Sequence, residues 1–116
     1  MTTTTLETED GRLVCPRCHL ALKPLDRMRG LLGRSSLPSE EGMLFRPAGS
    51  IHMLFMRFAI DAVFCDRELR VIDVVPGLRP WRFAGRRGAK VVIELAEGAA
   101  AGLSAGDRLV LGTIEP

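Results

Sequence analysis

The chain has 116 residues, the length of one ordinary domain, and its formal net charge of +2 is too small to indicate a polyanionic partner such as nucleic acid. No apolar run approaches the roughly 20 residues of a membrane-spanning helix, and the N-terminus lacks the pattern of a signal peptide. Three cysteines, an odd number, do not make a disulfide framework. We therefore expect a cytoplasmic protein with reduced thiols and no membrane association.

The basic residues are almost all arginines, since Lys23 and Lys90 are the only lysines. The bias is typical of GC-rich genomes and fits a bacterial-type protein. It also suits bidentate recognition of anions, because the guanidinium group is a planar fork of hydrogen-bond donors.

The beginning of the chain differs in composition from the rest. Residues 1–10 are rich in Thr and acidic side chains, which predicts a flexible tail. We expect one β-rich domain over residues 11–116, with its core at residues 25–111.

Apolar residues at helical spacing follow Pro24, and Gly33 fits a helix stop, so a short helix is predicted over residues 24–33. Gly30 inside this helix indicates close packing of another backbone. The Ala-rich residues 97–103 predict a second short helix.

Strands are predicted over most of the remaining chain. Ile51–Met56 is apolar on both faces apart from His52, as in a strand buried on both sides. Ile60–Cys65 and Leu69–Val75 flank a short charged turn, which is typical of a hairpin. Residues 76–90 form the longest irregular stretch. Further strands are predicted at Gly42–Phe45, Val91–Leu95 and Arg108–Leu111.

These elements predict a mostly β (α+β) fold. The architecture is a compact antiparallel β-sandwich or a partly open barrel, with one or two short helices at residues 24–33 and 97–103.

The order of several motifs resembles the uncharacterised family known as domain of unknown function 192, over about residues 25–111. The motifs are, in order, Arg29-Gly30-Leu31-Leu32-Gly33-Arg34, Gly42-Met43-Leu44-Phe45, His52 to Asp61 with Phe64-Cys65-Asp66, Ile93-Glu94-Leu95 with Gly98, and Gly106-Asp107. The resemblance implies a compact, mostly antiparallel β-fold with small helices at its edges, and it implies no established reaction. Ala59 stands where the family usually has proline.

The motif from Cys15 to His19 has the spacing of a haem attachment site, half a zinc ribbon or a redox dithiol. A zinc site needs further ligands, and only His52 and Cys65 are candidates. Pro24 separates the pair from the helix that would lower a thiol pKa. The favoured interpretation is that Cys15, Cys18 and His19 bind no metal, and no cofactor is expected.

Two carboxylates interrupt apolar strands. Glu94 lies opposite the apolar face formed by Val91, Ile93 and Leu95, where solvent is the simplest environment. Asp61 lies in a stretch that is apolar on both faces, so it needs a partner if it is buried. One interpretation is structural: an ion pair with Arg57, or a turn fixed by the carboxylate.

The other interpretation is functional. His52, Arg57 and Asp61 would line one pocket with Glu94 at its rim, Asp61 acting as an acid or base and Arg57 holding an anion.

The loop around Trp81, the only tryptophan, interleaves aromatic and basic residues. Such a loop can stack bases and contact phosphates, or bind a protein or small anion; alternatively Trp81 covers the core while the arginines stay solvated. The sequence does not favour nucleic acid. Arg57, Trp81, Arg82 and Glu94 are the predicted ligand-binding residues.

Two functions therefore stay open. The favoured hypothesis is a non-catalytic binding or accessory module for a protein or small anionic ligand. The alternative is a small enzyme that uses Asp61, His52 and Arg57 as acid/base and anion-holding groups.

Overall fold

A computed structural model describes residues 2–112 of the chain. In this part of the chain there are nine strands and one helix. They are β1 (Thr2–Thr8), β2 (Leu13–Ala21), α1 (Pro24–Arg29), β3 (Glu41–Phe45), β4 (Ser50–His52), β5 (Ile60–Cys65), β6 (Val71–Leu78), β7 (Phe83–Gly85), β8 (Val91–Ala96) and β9 (Leu109–Leu111).

Seven of these strands form one sheet in the order β6-β5-β8-β3-β2-β1-β9, and β4 pairs with β7 in a separate two-stranded ribbon. The pair β2–β3 is parallel and the other pairs are antiparallel. The large sheet curls into a half-barrel. Its two edges meet at an isolated bridge between Arg70 and Arg108, so the curl is almost closed at one point. The predicted mostly β, barrel-like fold is thus confirmed.

The interior strand β8 is buried along its whole length. Val91, Ile93 and Leu95 face one apolar cluster inside the curl, whereas Val92 and Ala96 face a second cluster. Met53, Met56 and Phe45 belong to the second cluster. Both faces of the sheet are therefore covered, and a side chain at any position of β8 is shielded from water.

The N-terminal segment is not a tail. Residues 2–8 form β1, which pairs with both β2 and β9, so the prediction of a flexible segment is wrong there. Leu6 is fully buried, and Thr4 and Thr8 share its face. Leu6 is the only large apolar residue in this strand, so the alternation of apolar and polar residues was too weak to predict it.

β2 contains a bulge that explains the environment of the two cysteines. Thr4 and Leu6 of β1 lie opposite Cys18 and Cys15, so β2 has one residue more than its partner between these positions. Pro16, which lacks an N–H, lies in the bulge. Because of the extra residue, Cys15 and Cys18 both face the core, where they are fully buried.

The helix is shorter than predicted, since α1 ends at Arg29 and Gly30 has φ of 48°. A Cβ atom on Gly30 would lie 3.2 Å from the Phe45 ring. The glycine therefore leaves room for the Phe45 side chain and not, as predicted, for a second backbone segment.

The predicted helix at residues 97–103 is also absent; this segment consists of successive turns with hydrogen bonds from residue i to i−3. Gly98 has φ of 92°, and the amides of Gly98 and Ala100 donate to the Asp61 carboxylate instead of to helical carbonyls.

The predicted buried strand Ile51–Met56 is wrong beyond His52. Leu54 and Phe55 form a turn, and Phe55 has φ of 64°. The predicted irregular stretch 76–90 contains the end of β6 and all of β7. The ribbon β4–β7 and α1 supply the layer over the second cluster.

Candidate functional site

A cavity of about 210 Å³ lies between α1, the β4 strand and the large sheet. Its walls combine apolar and polar surface in similar amounts. The residues that line it are Arg27, Met28, Gly30, Leu31, Leu32, Phe45, Pro47, Ala48, Ser50, Ile51, His52, Met56, Val92 and Glu94. Ligand pockets in proteins are typically concave and combine apolar side chains with polar groups that fix the ligand, and this cavity contains both kinds of residue.

Glu94 is the carboxylate of this cavity. Its position on β8, opposite Met43 of β3 and Ala62 of β5, directs it to the same face as Val92. The side chain is only 6% exposed. Among the side chains and backbone amides that the structure describes, none donates a hydrogen bond to it. Burial, which penalises the charged form, raises the pKa of Glu94 to about 8.

Two basic residues accompany Glu94 in the lining. The Arg27 guanidinium donates from Nη1 to the carbonyl oxygens of Leu22 at 2.7 Å and Arg46 at 3.4 Å. These bonds tie α1 to the neighbouring loops and occupy part of the guanidinium. His52 is exposed, and its ring lies 6.5 Å from that of Phe83. The cavity therefore has two basic residues in its lining and a carboxyl inside.

Asp61 has a different environment from the predicted pocket. Its Oδ1 accepts a hydrogen bond from the Gly77 amide at 2.9 Å, and its Oδ2 accepts from Gly98 at 2.9 Å and Ala100 at 3.0 Å. The carboxylate thus joins β5 to the end of β6 and to the turns after β8. Of the two structural interpretations, the one in which the carboxylate fixes a turn describes this geometry.

The residues predicted to act with Asp61 lie elsewhere. Arg57 is exposed, and within the described range it forms neither a salt bridge nor a side-chain hydrogen bond. His52 lines the cavity with Glu94, whereas Asp61 borders a separate hollow with Glu97 and Ala101. The predicted grouping of His52, Arg57 and Asp61 around one pocket is therefore wrong, and Glu94 is the carboxylate that His52 accompanies.

A second feature is an exposed aromatic surface formed by Phe55, Trp81 and Phe83. These side chains are 70%, 57% and 70% exposed, so Trp81 does not cover the core. Phe55 and Trp81 contact each other with ring centroids 4.9 Å apart. Both have positive φ, of 64° and 68°, a conformation that costs about 1–3 kcal/mol outside glycine. Arg57 and Arg82, which lie close to these aromatic residues in the sequence, are also exposed.

The Cys15–His19 motif is built into β2. The His19 ring nitrogens contact Thr3 Oγ1 at 2.9 Å and Glu41 Oε1 at 3.1 Å. The hydrogen bond with Cys15 and burial raise the pKa of the Cys18 thiol. Burial also raises the pKa of Cys65, to about 12. Within residues 2–112 no group of three or more His, Cys, Asp or Glu side chains is placed to hold a metal ion.

The family model of DUF192, described as an uncharacterised ACR, matches residues 5–111. The chain belongs to the DUF192 family. The match confirms the resemblance and extends it to β1 and β2, which the motifs at residues 25–111 did not include. No helix within residues 2–112 has the length and apolar character needed to cross a membrane.

Curated relatives of this DUF192 chain are UPF0127 proteins of archaea. One from Thermococcus sibiricus is 42% identical over 97 residues, and one from Pyrococcus furiosus is 44% identical over 63 residues. These matches include 76% and 52% of the chain, respectively. The chain spans 60% of the length of the first relative and 53% of the second.

Two solved structures have the same fold. A candidate transcription regulator from Sinorhizobium meliloti has a TM-score of 0.80 at 25% identity, with coverage of 95% of this chain and 92% of that chain. A protein of unknown function from Novosphingobium aromaticivorans has a TM-score of 0.78 at 26% identity, with coverage of 93% and 83%. These likenesses support the half-barrel fold and assign no reaction.

Proposed function

We propose that this protein is a binding module for a small molecule with an apolar body, held in the cavity beneath α1. The observation that carries the proposal is the carboxyl of Glu94, which lies in the cavity wall at 6% exposure and has no hydrogen-bond partner among the side chains and amides that the structure describes. A buried polar group without a partner costs about 1–3 kcal/mol, and a ligand that pairs with it removes that cost.

The hydrogen bonds of Asp61 support a structural role for that carboxylate rather than the acid–base role of the alternative enzyme hypothesis. Its lone pairs face three amides, which leaves little capacity to abstract a proton from a substrate. The cavity also differs from a site for a small anion, because the side chain inside it is a carboxyl and Arg27 at its margin donates to two carbonyl groups. A binding role at Glu94 fits these contacts best.

The cavity is tested with three six-carbon probes that differ only in their polar end: hexylamine, hexanol and hexanoate. We expect at least one of them to shift backbone amide signals of cavity residues such as Leu31, Phe45 and Val92 in NMR titrations. Met28→Trp should weaken that binding by about tenfold, since Met28 lines the cavity and an indole there takes up its space.

Leu25→Trp is the matched control. Leu25 and Met28 lie on the same helix and are 78% and 75% exposed, but only Met28 lines the cavity. Equal binding by the two variants, or absence of cavity shifts with all three probes, would overturn the proposal.

A second candidate is a contact surface for an acidic protein partner, and we propose it for Phe55, Trp81 and Phe83. Large exposed apolar groups are typical of interaction sites. Residues 74–93 contain five basic residues and no acidic one, so the adjoining segment has the charge that attracts an acidic surface.

This surface is tested with an acidic peptide of alternating Glu and Leu. We expect salt-sensitive binding that Trp81→Ala weakens at least about fivefold and that Val110→Ala, another exposed apolar position, leaves intact. Preference for a single-stranded oligonucleotide would assign the surface to nucleic acid instead, and binding of neither would remove it from consideration.

A further inference from the structure

The cavity around Glu94 has a specific chemical preference. We propose that its ligand carries a primary amine, protonated when bound, whose ammonium group pairs with the Glu94 carboxylate while its apolar body lies against the cavity walls. This inference rests on the proposed function, since it names the class of ligand for the same cavity.

The first argument is the direction of hydrogen bonding. A carboxylate accepts hydrogen bonds only, and an ammonium group donates three. From the side chains and amides that the structure describes the Glu94 carboxyl receives none, so its accepting capacity is available to a ligand. Contacts between ionised groups are roughly twice as strong as those between neutral ones, which favours an ammonium over a hydroxyl.

The second argument is desolvation. A carboxylate loses most of its hydration at 6% exposure, and a cation at contact distance is the group that best compensates for the loss. The two basic residues of the lining do not hydrogen-bond it, since Arg27 donates to Leu22 and Arg46 and His52 lies beside Phe83. A ligand ammonium would fill that role.

The third argument is the chemistry of the walls. Phe45, Met56, Leu31 and Val92 offer apolar surface that suits methylene groups, and an aromatic ring also attracts a nearby cation. The cavity volume of about 210 Å³ lies below the roughly 300–1,000 Å³ of drug-sized pockets, so the ligand is small.

The test compares the dissociation constants of hexylamine, hexanol and hexanoate by calorimetry with the full chain. We expect hexylamine to bind at least about tenfold more tightly than hexanol, equivalent to about 1.4 kcal/mol, and hexanoate to bind most weakly. Glu94→Gln should remove the advantage of the amine and leave hexanol binding within about twofold, because Gln keeps the shape of the side chain.

The pH dependence separates Glu94 from the other titratable group of the lining. Hexylamine affinity should rise about fiftyfold between about pH 6 and about pH 8, because a larger fraction of the empty protein then has Glu94 ionised while the amine stays protonated. His52→Gln should retain the rise, and Glu94→Gln should abolish it.

The outcomes distinguish this inference from the proposed function. Cavity binding in which hexanol or hexanoate is preferred to hexylamine would overturn the amine and leave a binding module. Amine binding that Glu94→Gln does not change would equally overturn it. Absence of cavity binding by all three probes would overturn the proposed function itself.

Discussion

The carboxyl of Glu94 shows how one residue can be both predicted and misjudged from sequence. The alternation of Val91, Ile93 and Leu95 correctly places Glu94 on the other face of its strand. Solvent was the expected environment of that face, but α1 and β4 lie over it. The alternation of apolar and polar residues along a strand shows which residues share a face of the sheet. It does not show what covers the opposite face.

Burial of Glu94 predicts an unusual dependence of stability on pH. Its pKa is about 8 in the folded protein and 4.5 for an ordinary glutamate, so between these values the folded protein keeps a proton that the unfolded chain has lost. The free energy of unfolding should therefore fall as pH rises from 4.5 to about 8. Glu94→Gln should remove this part of the fall and stabilise the protein above pH 8 by roughly 1–3 kcal/mol.

Urea denaturation of both proteins across this pH range measures the effect. The difference between the two proteins isolates Glu94, since all other side chains are the same in both. Glu97→Gln, at an exposed position, is the control and should follow the wild type. A constant difference between wild type and Glu94→Gln at every pH would contradict the raised pKa.

Among the elements, strands β5, β6 and β8 are held in register by a side chain as well as by their ladders. Ile60 and Ala62 of β5 lie opposite Leu78 and Val75, so β6 has an extra residue at this point. The Gly77 amide of that bulge donates to Asp61. A bulge leaves a backbone group unpaired, and the carboxylate satisfies it.

Replacement of Asp61 should therefore destabilise the protein without a direct effect on the cavity. Asp61→Asn replaces one acceptor oxygen by an NH₂ group that faces amide donors, and we expect a loss of about 2–4 kcal/mol in the free energy of unfolding. Asp73→Asn is the matched control: Asp73 pairs with Arg86 at 2.7 Å, but both side chains are solvent-accessible, so the change should stay within about 0.5 kcal/mol.

Chemical denaturation measures both variants, and binding of the six-carbon probes by folded Asp61→Asn should match that of the wild type. Similar stability losses for Asp61→Asn and Asp73→Asn would contradict the structural role. Loss of probe binding by a folded Asp61→Asn protein would revive the acid–base hypothesis.

Strands could be predicted from the sequence where turn-forming residues separate one strand from the next. Asp66 accepts hydrogen bonds from the amides of Glu68 and Arg70, as expected of a polar turn between two β-branched strands. The helix predicted from the Ala-rich residues 97–103 is wrong because helix propensity is a weak effect. The hydrogen bonds from this segment to Asp61 outweigh it. The strand predicted at Ile51–Met56 failed because an apolar run does not distinguish a strand from a buried loop.

At the scale of the whole molecule, the sequence predicted the class of fold but not the order of its strands. β1 and β9 come from opposite ends of the described chain and lie side by side, with Leu6 opposite Leu111. The single parallel pair, β2–β3, depends on the crossover through α1. Such pairings are set by long-range packing, to which local patterns contribute little. His52 and Glu94 were predicted to share a pocket, but the cover that α1 provides was missed for the same reason, since α1, β4 and β8 are distant in sequence.

The bridge between Arg70 and Arg108 also bears on how the protein behaves in concentrated solution. An open sheet exposes unpaired N–H and C=O groups that recruit strands from other molecules and start aggregation. Here the edge strand β9 has only three residues, and Pro76 on the edge strand β6 has no N–H to donate. Because the edges also meet at the bridge, few unpaired backbone groups are left there for a strand of another molecule to pair with. The curl of the sheet that gives the fold its shape thus also protects it from polymerisation.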